Sequence, residues 1–432
     1  MWDLGEEIKS ISLPLESSED LDPLLDFIGE SRFVFLGEAT HGTHEFYTWR
    51  TEITKRLILE KGFSFIAVES DWPDCYEVNR YIKAYPTAAR SAQEVLQVFS
   101  RWPTWLWANW EVEELVRWLR EFNANLPWEN KVGFYGLDVY SLWDSLSEIV
   151  TFLKKEDPQS LSLALQAFRC FEPFSQDVEN YAVRAALVPE TCEDEVVNLL
   201  AKIKERRIEY RGDVEEYFNL EQNALVAKNA ESYYRTMLYG GIDSWNIRDS
   251  HMAETLERLT ELHGSASKVV VWAHNTHAGD AIFTDMAEIG EVNLGQIIRY
   301  RHEKEGVVLL GFSTYEGETI AARSWGAVME KMFLPPAIPG SWDAFFHQSV
   351  GKDCLCLFGK KEKESKLLSQ PQGLRAVGVV YNPDDELANY VPTFLSKRFD
   401  ALAYLETTSA LQPLPVAQET DVDYPQTYPT TV

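Results

Sequence analysis

Four of the eight histidines in this 432-residue chain form two His-x-x-His pairs, His41/His44 and His274/His277. Glu38 precedes the first pair by three residues, and Glu69 and Asp138 follow other apolar runs. A histidine beside carboxylates can take a proton from a bound water, so general acid–base catalysis is the economical chemistry. Paired histidines can also hold a metal, because residues three apart share a helix face. Neither pair fits a known signature, however. His-Glu-x-x-His is absent, and His41-Gly-Thr-His44-Glu45 has the wrong order for that motif or its inverse. No metal ligand is assigned. Gly-x-Ser-x-Gly is missing, which removes the usual serine-esterase elbow. The glycine-rich phosphate cradles are missing too, so no nucleotide or other cofactor is expected.

The elements that must position these groups are short apolar runs. The clearest are Arg32–Leu36, Phe63–Val68, Lys131–Leu137, Lys268–Ala273, Val307–Phe312, Cys354–Phe358 and Leu374–Tyr381. Most lack alternation, which suits strands covered on both faces. The early runs alternate with helical stretches, so the expected fold is α/β, with a mostly parallel central sheet flanked by helices. The first four runs each deliver an acid or a histidine at their ends: Glu38 with His41, Glu69, Asp138, and His274 with His277. Open parallel sheets bind ligands at that edge. If these strands are neighbours, the groups converge on one crevice.

Two arginines lie on apolar helix stripes. Arg50 sits between Phe46 and Ile53 in the predicted helix Thr43–Lys61, and Arg248 shares a stripe with Trp245 and Met252 in Ser244–Leu262. A buried cation there needs a partner, and Glu38, Glu69 and Asp138 are the candidates. Long side chains can instead snorkel to solvent. The segment Arg101–Trp110 carries Trp102, Trp105, Trp107 and Trp110, of which Trp105 and Trp107 are candidate walls for a bulky ligand, with core packing as the alternative.

From residue 145 to 264 no strand pattern appears, and charge-rich helical segments such as Glu193–Glu209 and Glu215–Tyr239 fill the stretch. It is read as a helical insertion over the C-terminal edge of the strands, within one α/β domain spanning residues 1–411. Residues 412–432 hold four prolines among Thr, Gln and Asp, and are expected to form a disordered tail. The net charge is −28, which argues against nucleic-acid and membrane-surface partners. Five cysteines without metal or disulfide spacing are expected to be reduced packing residues. The N-terminus has no signal-peptide pattern and no run is long enough to span a bilayer, so a cytoplasmic location is the default expectation.

Several blocks, in order, resemble the erythromycin esterase family. They include Gly37-Glu-Ala-Thr-His41-Gly-Thr-His-Glu45, Val68-Glu69-Ser, Gly136-Leu-Asp138, Ser244-Trp-Asn-Ile-Arg248-Asp and Val271-Trp-Ala-His274-Asn-Thr-His277. The resemblance spans about residues 30 to 410. It implies a metal-independent hydrolase that opens a macrolide lactone or another small-molecule ester with an activated water. It implies an α/β fold with a helical subdomain over the cleft. It further implies His41 as general base, with Glu38, Glu69, Arg50 and His274 as catalytic partners. His277, Arg248, Asp138 and His44 then stand as substrate-side residues beside Trp105 and Trp107. His274, Arg50 or Arg248 would stabilise an oxyanion, and Glu69 would fix the tautomer of His41 or His274. The sequence departs from the family at Ala108, where a basic residue is expected. A related branch of the superfamily binds metal, which leaves a metallohydrolase or a non-catalytic metal or iron-ligand binder as alternatives. The oligomeric state is not legible.

Overall fold

The computed structural model describes residues 4–172, 191–207, 210, 212–237 and 241–415. Eleven strands are found among them: β1 Ser12–Pro14, β2 Phe33–Leu36, β3 Phe65–Asp71, β4 Gly133–Asp138, β5 Val269–Trp272, β6 Val307–Ala321, β7 Glu330–Leu334, β8 Cys354–Leu357, β9 Pro371–Arg375, β10 Tyr390–Phe394 and β11 Ala401–Thr408. Nine build one sheet, in the order β1-β8-β11-β6-β2-β5-β3-β4, with β7 paired to the far end of β6. The pairs from β11 through β6, β2, β5 and β3 to β4 are all parallel. Within this sheet, antiparallel pairing is confined to the bonds made by β1, β7 and β8. The mostly parallel α/β class is therefore as expected.

The burial pattern explains the unbroken apolar runs. Val34, Leu36, Ile66, Val68, Val270 and Trp272 face one core, and Phe33, Phe35, Phe65, Ala67, Val269 and Val271 face the other. Successive side chains point to opposite faces, and helices cover both, so every position is apolar. Fully burying each Val, Leu, Ile or Phe side chain among them contributes about 1.5–3 kcal/mol. Helix His44–Lys61 stops where Gly62 takes φ 68° and its N–H caps the Leu57 carbonyl, the left-handed ending that glycine accepts without strain.

Strand β11 is absent from the sequence reading yet sits inside the sheet, between β8 and β6. Its opening Ala-Leu-Ala is rich in helix formers, and parallel pairing with Leu310–Gly317 overrides that preference. The expected strand Leu374–Tyr381 is also different. Its start lies in β9, which pairs with β10 in a separate two-stranded sheet.

Between β4 and β5 the described elements are all helical: Leu142–Glu156, Leu161–Phe171, Glu193–Arg206, Val214–Met237 and Gly241–His263. The first four share a core of their own. The last instead packs Met252, Leu256 and Leu259 under the sheet. Two expectations fail here and at the C-terminus. Cys170 and Cys192 form a disulfide joining two of these helices, so only Cys75, Cys354 and Cys356 are free. Folding brings together two cysteines that are 22 residues apart and carry no motif spacing. Residues 412–415 are not tail-like: Leu414 is buried, and its N–H bonds to the Ala108 carbonyl. The rest of the expected tail lies outside the described residues.

Candidate active site

Strands β2, β5, β3 and β4 are consecutive neighbours, so their C-terminal ends lie side by side. This juxtaposes Glu38 and His41 after β2, His274 and His277 after β5, Glu69 near the end of β3, and Asp138 at the end of β4. The β2 turn is clamped from behind. Gly42 presses on β6 so closely that any side chain would overlap the Ile320 backbone, and its carbonyl accepts the N–H groups of Ile320 and Leu411 at 2.9 Å each.

On one side of the cleft, His41 Nδ1 lies 2.8 Å from Glu38 Oε1. The other carboxylate oxygen accepts from Arg50 Nη2 at 2.6 Å. Arg50 is buried, with its guanidinium over the Tyr47 and Trp272 rings at 4.2 and 4.6 Å. A carboxylate acceptor at Nδ1 keeps the proton there and leaves His41 Nε2 as the basic nitrogen. The Tyr47 hydroxyl donates to the His41 carbonyl at 3.0 Å, which fixes the backbone of the turn.

On the other side, Arg248 gathers three strand ends. Its Nε and Nη2 bond Asp138 at 2.9 and 2.7 Å, Nη2 also bonds Glu69 at 2.8 Å, and Nη1 stands 3.0 Å from His277 Nε2. Four hydrogen bonds use four of the five guanidinium N–H groups. Burial pushes the Glu69 carboxyl up, but His277, Arg248 and His41 outweigh it and hold it well below the usual carboxylate range. His277 stacks on Trp245 at 4.6 Å and bonds Asp249 through Nδ1. Burial alone would lower its pKa, yet Asp249 and Glu69 raise it.

His274 stands between the two halves. Its ring centroid is 4.8 Å from that of His41. Its backbone N–H donates to Glu69 Oε2 at 2.7 Å. Nδ1 lies 2.8 Å from the Thr276 hydroxyl and accepts the Thr276 N–H at 3.4 Å, which puts the ring proton on Nε2. That buried Nε2 has no hydrogen-bond partner of good geometry within the protein. Burial, and then the neighbouring His41, push the pKa of His274 well below its ordinary value, so the ring is neutral.

These groups open on a cavity of about 550 Å³. His41, Glu69, Asp138, Arg248, His274 and His277 form its floor, and Trp102, Trp107, Tyr140, Trp245 and Trp325 supply aromatic wall. The volume and mixed lining suit a small organic molecule. Among the described residues no group of three or more His, Cys, Asp or Glu side chains is arranged to hold a metal.

Several expected positions stand elsewhere. Trp105 is fully buried and packs edge-on against Trp102, so it supports the wall without forming it. His44 lies outside the cavity and bonds Glu111 at 2.5 Å, because the helix begun at His44 turns it away from its sequence neighbour His41. Arg50 lies behind Glu38 and is not available to an oxyanion in the cavity. Glu69 bonds the His274 backbone, not its ring, while Glu38 is the residue that sets His41. Missed in sequence were Tyr140, the Arg101–Asp71 ion pair on the wall, and Asp249. Asp249 adjoins Arg248 on one helix, and only its partner across the cleft reveals its use.

The sequence model for erythromycin esterase matches residues 58–408. This chain belongs to the erythromycin esterase family. The matched stretch begins after Glu38 and His41, so it is the fold that joins those two to the rest of the family's residues. YbfO of Bacillus subtilis (strain 168), whose name proposes a hydrolase, is 24% identical over 351 residues, 76% of this chain and 74% of its own. Erythromycin esterase type II of Escherichia coli is 22% identical over 328 residues, 71% of this chain and 75% of its own. The solved structure of a mutant erythromycin esterase, EreC, in an open conformation has the same fold, with a TM-score of 0.67 at 17% identity over 93% of this chain and 96% of that one. Family membership and the named relatives together support a hydrolase. No described helix is long and apolar enough to cross a membrane.

Proposed function

We propose that this erythromycin esterase-family protein hydrolyses an ester or lactone bond of a small, bulky, partly apolar molecule, using a water activated by His41. The observation that carries the reading is the His41–Glu38 pair at 2.8 Å, with His41 lining the same cavity as His274, whose ring stands 4.8 Å away. Glu38 keeps the His41 proton on Nδ1, so Nε2 takes a proton from water. The water oxygen bonds the acyl carbon, and the carbonyl oxygen becomes an oxyanion. Arg248, which lines the cavity with one Nη1–H uncommitted, is the donor to it, and the His274 ring beside His41 is a second. One well-placed donor of this kind is worth ~3–4 kcal/mol of barrier. The intermediate collapses, the bond from carbon to the alkoxy oxygen breaks, and the proton held by His41 passes to the leaving oxygen.

The carboxylates that a metal would use are already engaged: Glu38 by Arg50, and Glu69 and Asp138 by Arg248. That favours chemistry without a metal. The test is a screen of esters and lactones, macrolides included, with and without EDTA, alongside metal analysis of the purified protein. Hydrolysis that survives EDTA and vanishes in His41→Ala is the expected result. Chelator-sensitive hydrolysis, or stoichiometric metal with no hydrolysis, would overturn it.

A further inference from the structure

Asp249 forms no part of the cavity wall, yet it is fully buried one residue beyond Arg248. Its Oδ1 lies 2.9 Å from His277 Nδ1 and accepts the Leu294 backbone N–H at 2.7 Å, while Oδ2 lies 3.0 Å from the same Nδ1. A carboxylate offers only acceptors, so His277 Nδ1 carries a proton. A guanidinium offers only donors, so His277 Nε2, 3.0 Å from Arg248 Nη1, accepts. Trp245 stacked within 11° of the ring plane limits any reorientation of the imidazole.

We propose that Asp249 is a positioning residue for the hydrolysis: it sets the tautomer of His277 so that this ring accepts from Arg248 and fixes the guanidinium at the cavity wall. The proposal rests on the ester-hydrolysis reading for its catalytic consequence, but the tautomer itself does not.

Asparagine at 249 would keep the shape and reverse the hydrogen bonding. Its single oxygen would stay with the Leu294 N–H. Its amide N–H would then face His277 Nδ1 and move the ring proton to Nε2. There it would oppose the Arg248 Nη1–H. Glu69 Oε1 stands 3.4 Å from that Nε2, and Arg248 already uses it. The guanidinium would lose one of its four anchors, and Glu69 would be shared.

The test uses full-length protein labelled with ¹⁵N at histidine. Long-range ¹H–¹⁵N spectra read each tautomer without substrate, and His277→Gln assigns the signal. The expected result, at a pH where the ring is neutral, is Nδ1–H in the native protein and Nε2–H in Asp249→Asn. The variant should also lose roughly 10²–10⁴-fold in kcat on any ester the native enzyme cleaves, with KM nearly unchanged and the pH profile displaced. An Nε2–H tautomer in the native protein overturns the proposal even if the variant does not fold. So does a variant with native tautomer or native kcat. A native protein inactive on every ester would sink the hydrolysis reading instead, and the spectra would still decide the assignment of Asp249.

Discussion

The imidazoles of His41 and His274 stand 4.8 Å apart in one cleft, each carried on the loop that follows one of two adjacent parallel strands. They are not equivalent. His41 is held at Nδ1 by a carboxylate and is free to act as a base. His274 is held at Nδ1 by donors from Thr276 and keeps its proton on Nε2. One sheet edge thus carries, on neighbouring loops, one imidazole with a basic Nε2 and one with a protonated Nε2.

Glu38→Gln should lower kcat by roughly 10²–10⁴-fold, because an amide can no longer hold the His41 proton on Nδ1, and should also lower stability by about 3–5 kcal/mol, because it leaves the buried Arg50 guanidinium unpaired. Steady-state kinetics beside a thermal melt would check this. A variant with native kcat would remove Glu38 from the scheme.

Arg50→Met should destabilise the protein by about 3–5 kcal/mol, since it leaves the buried Glu38 carboxylate without its cation. Urea unfolding measures the loss. The double variant Arg50→Met/Glu38→Gln should recover much of that stability while staying inactive.

Acid sensitivity should pass through His274, together with His251 and His263, which burial pushes down to about 4. The pKa of His274 in the fold is below the unfolded value of about 6.5, so below that pH the unfolded chain binds the extra proton. Stability therefore falls as pH drops from about 6.5 towards the folded value, by up to ~1.4 kcal/mol per pH unit for this group. Glu69, held low, adds loss in the same direction only at lower pH, below about 4.3. His277 works oppositely: its pKa is raised, so its contribution is present below about 6.5 and fades as pH climbs through its folded value. Unfolding curves from pH 7 to 5 should be shallower for His274→Gln than for the native protein.

The Cys170–Cys192 bridge predicts three titratable thiols in the denatured, unreduced chain, and five after reduction. Replacing both cysteines by serine should cost about 2–4 kcal/mol. A count of five thiols before reduction would show that the bridge does not form.

Much of this was legible in one dimension because it depends on local pattern. A strand buried on both faces must be apolar throughout, so Phe33–Leu36 and Val269–Trp272 announce themselves. A buried arginine on an apolar stripe needs an acid, so Arg50 and Arg248 point to Glu38, Glu69 and Asp138. What the chain order could not say is which strands are neighbours. Strands β2 and β5 are remote in sequence, and only sheet pairing sets His41 beside His274. The same limit applies to orientation. His41 and His44 are one motif in sequence, but the helix that starts at His44 sends them to different partners, Glu38 and Glu111. Trp105 and Trp107 are likewise divided between core and wall by the path of their loop. Residue type and periodicity determine which groups must be buried and paired. The choice of partner depends on distances of a few ångströms across the fold, and packing alone decides those.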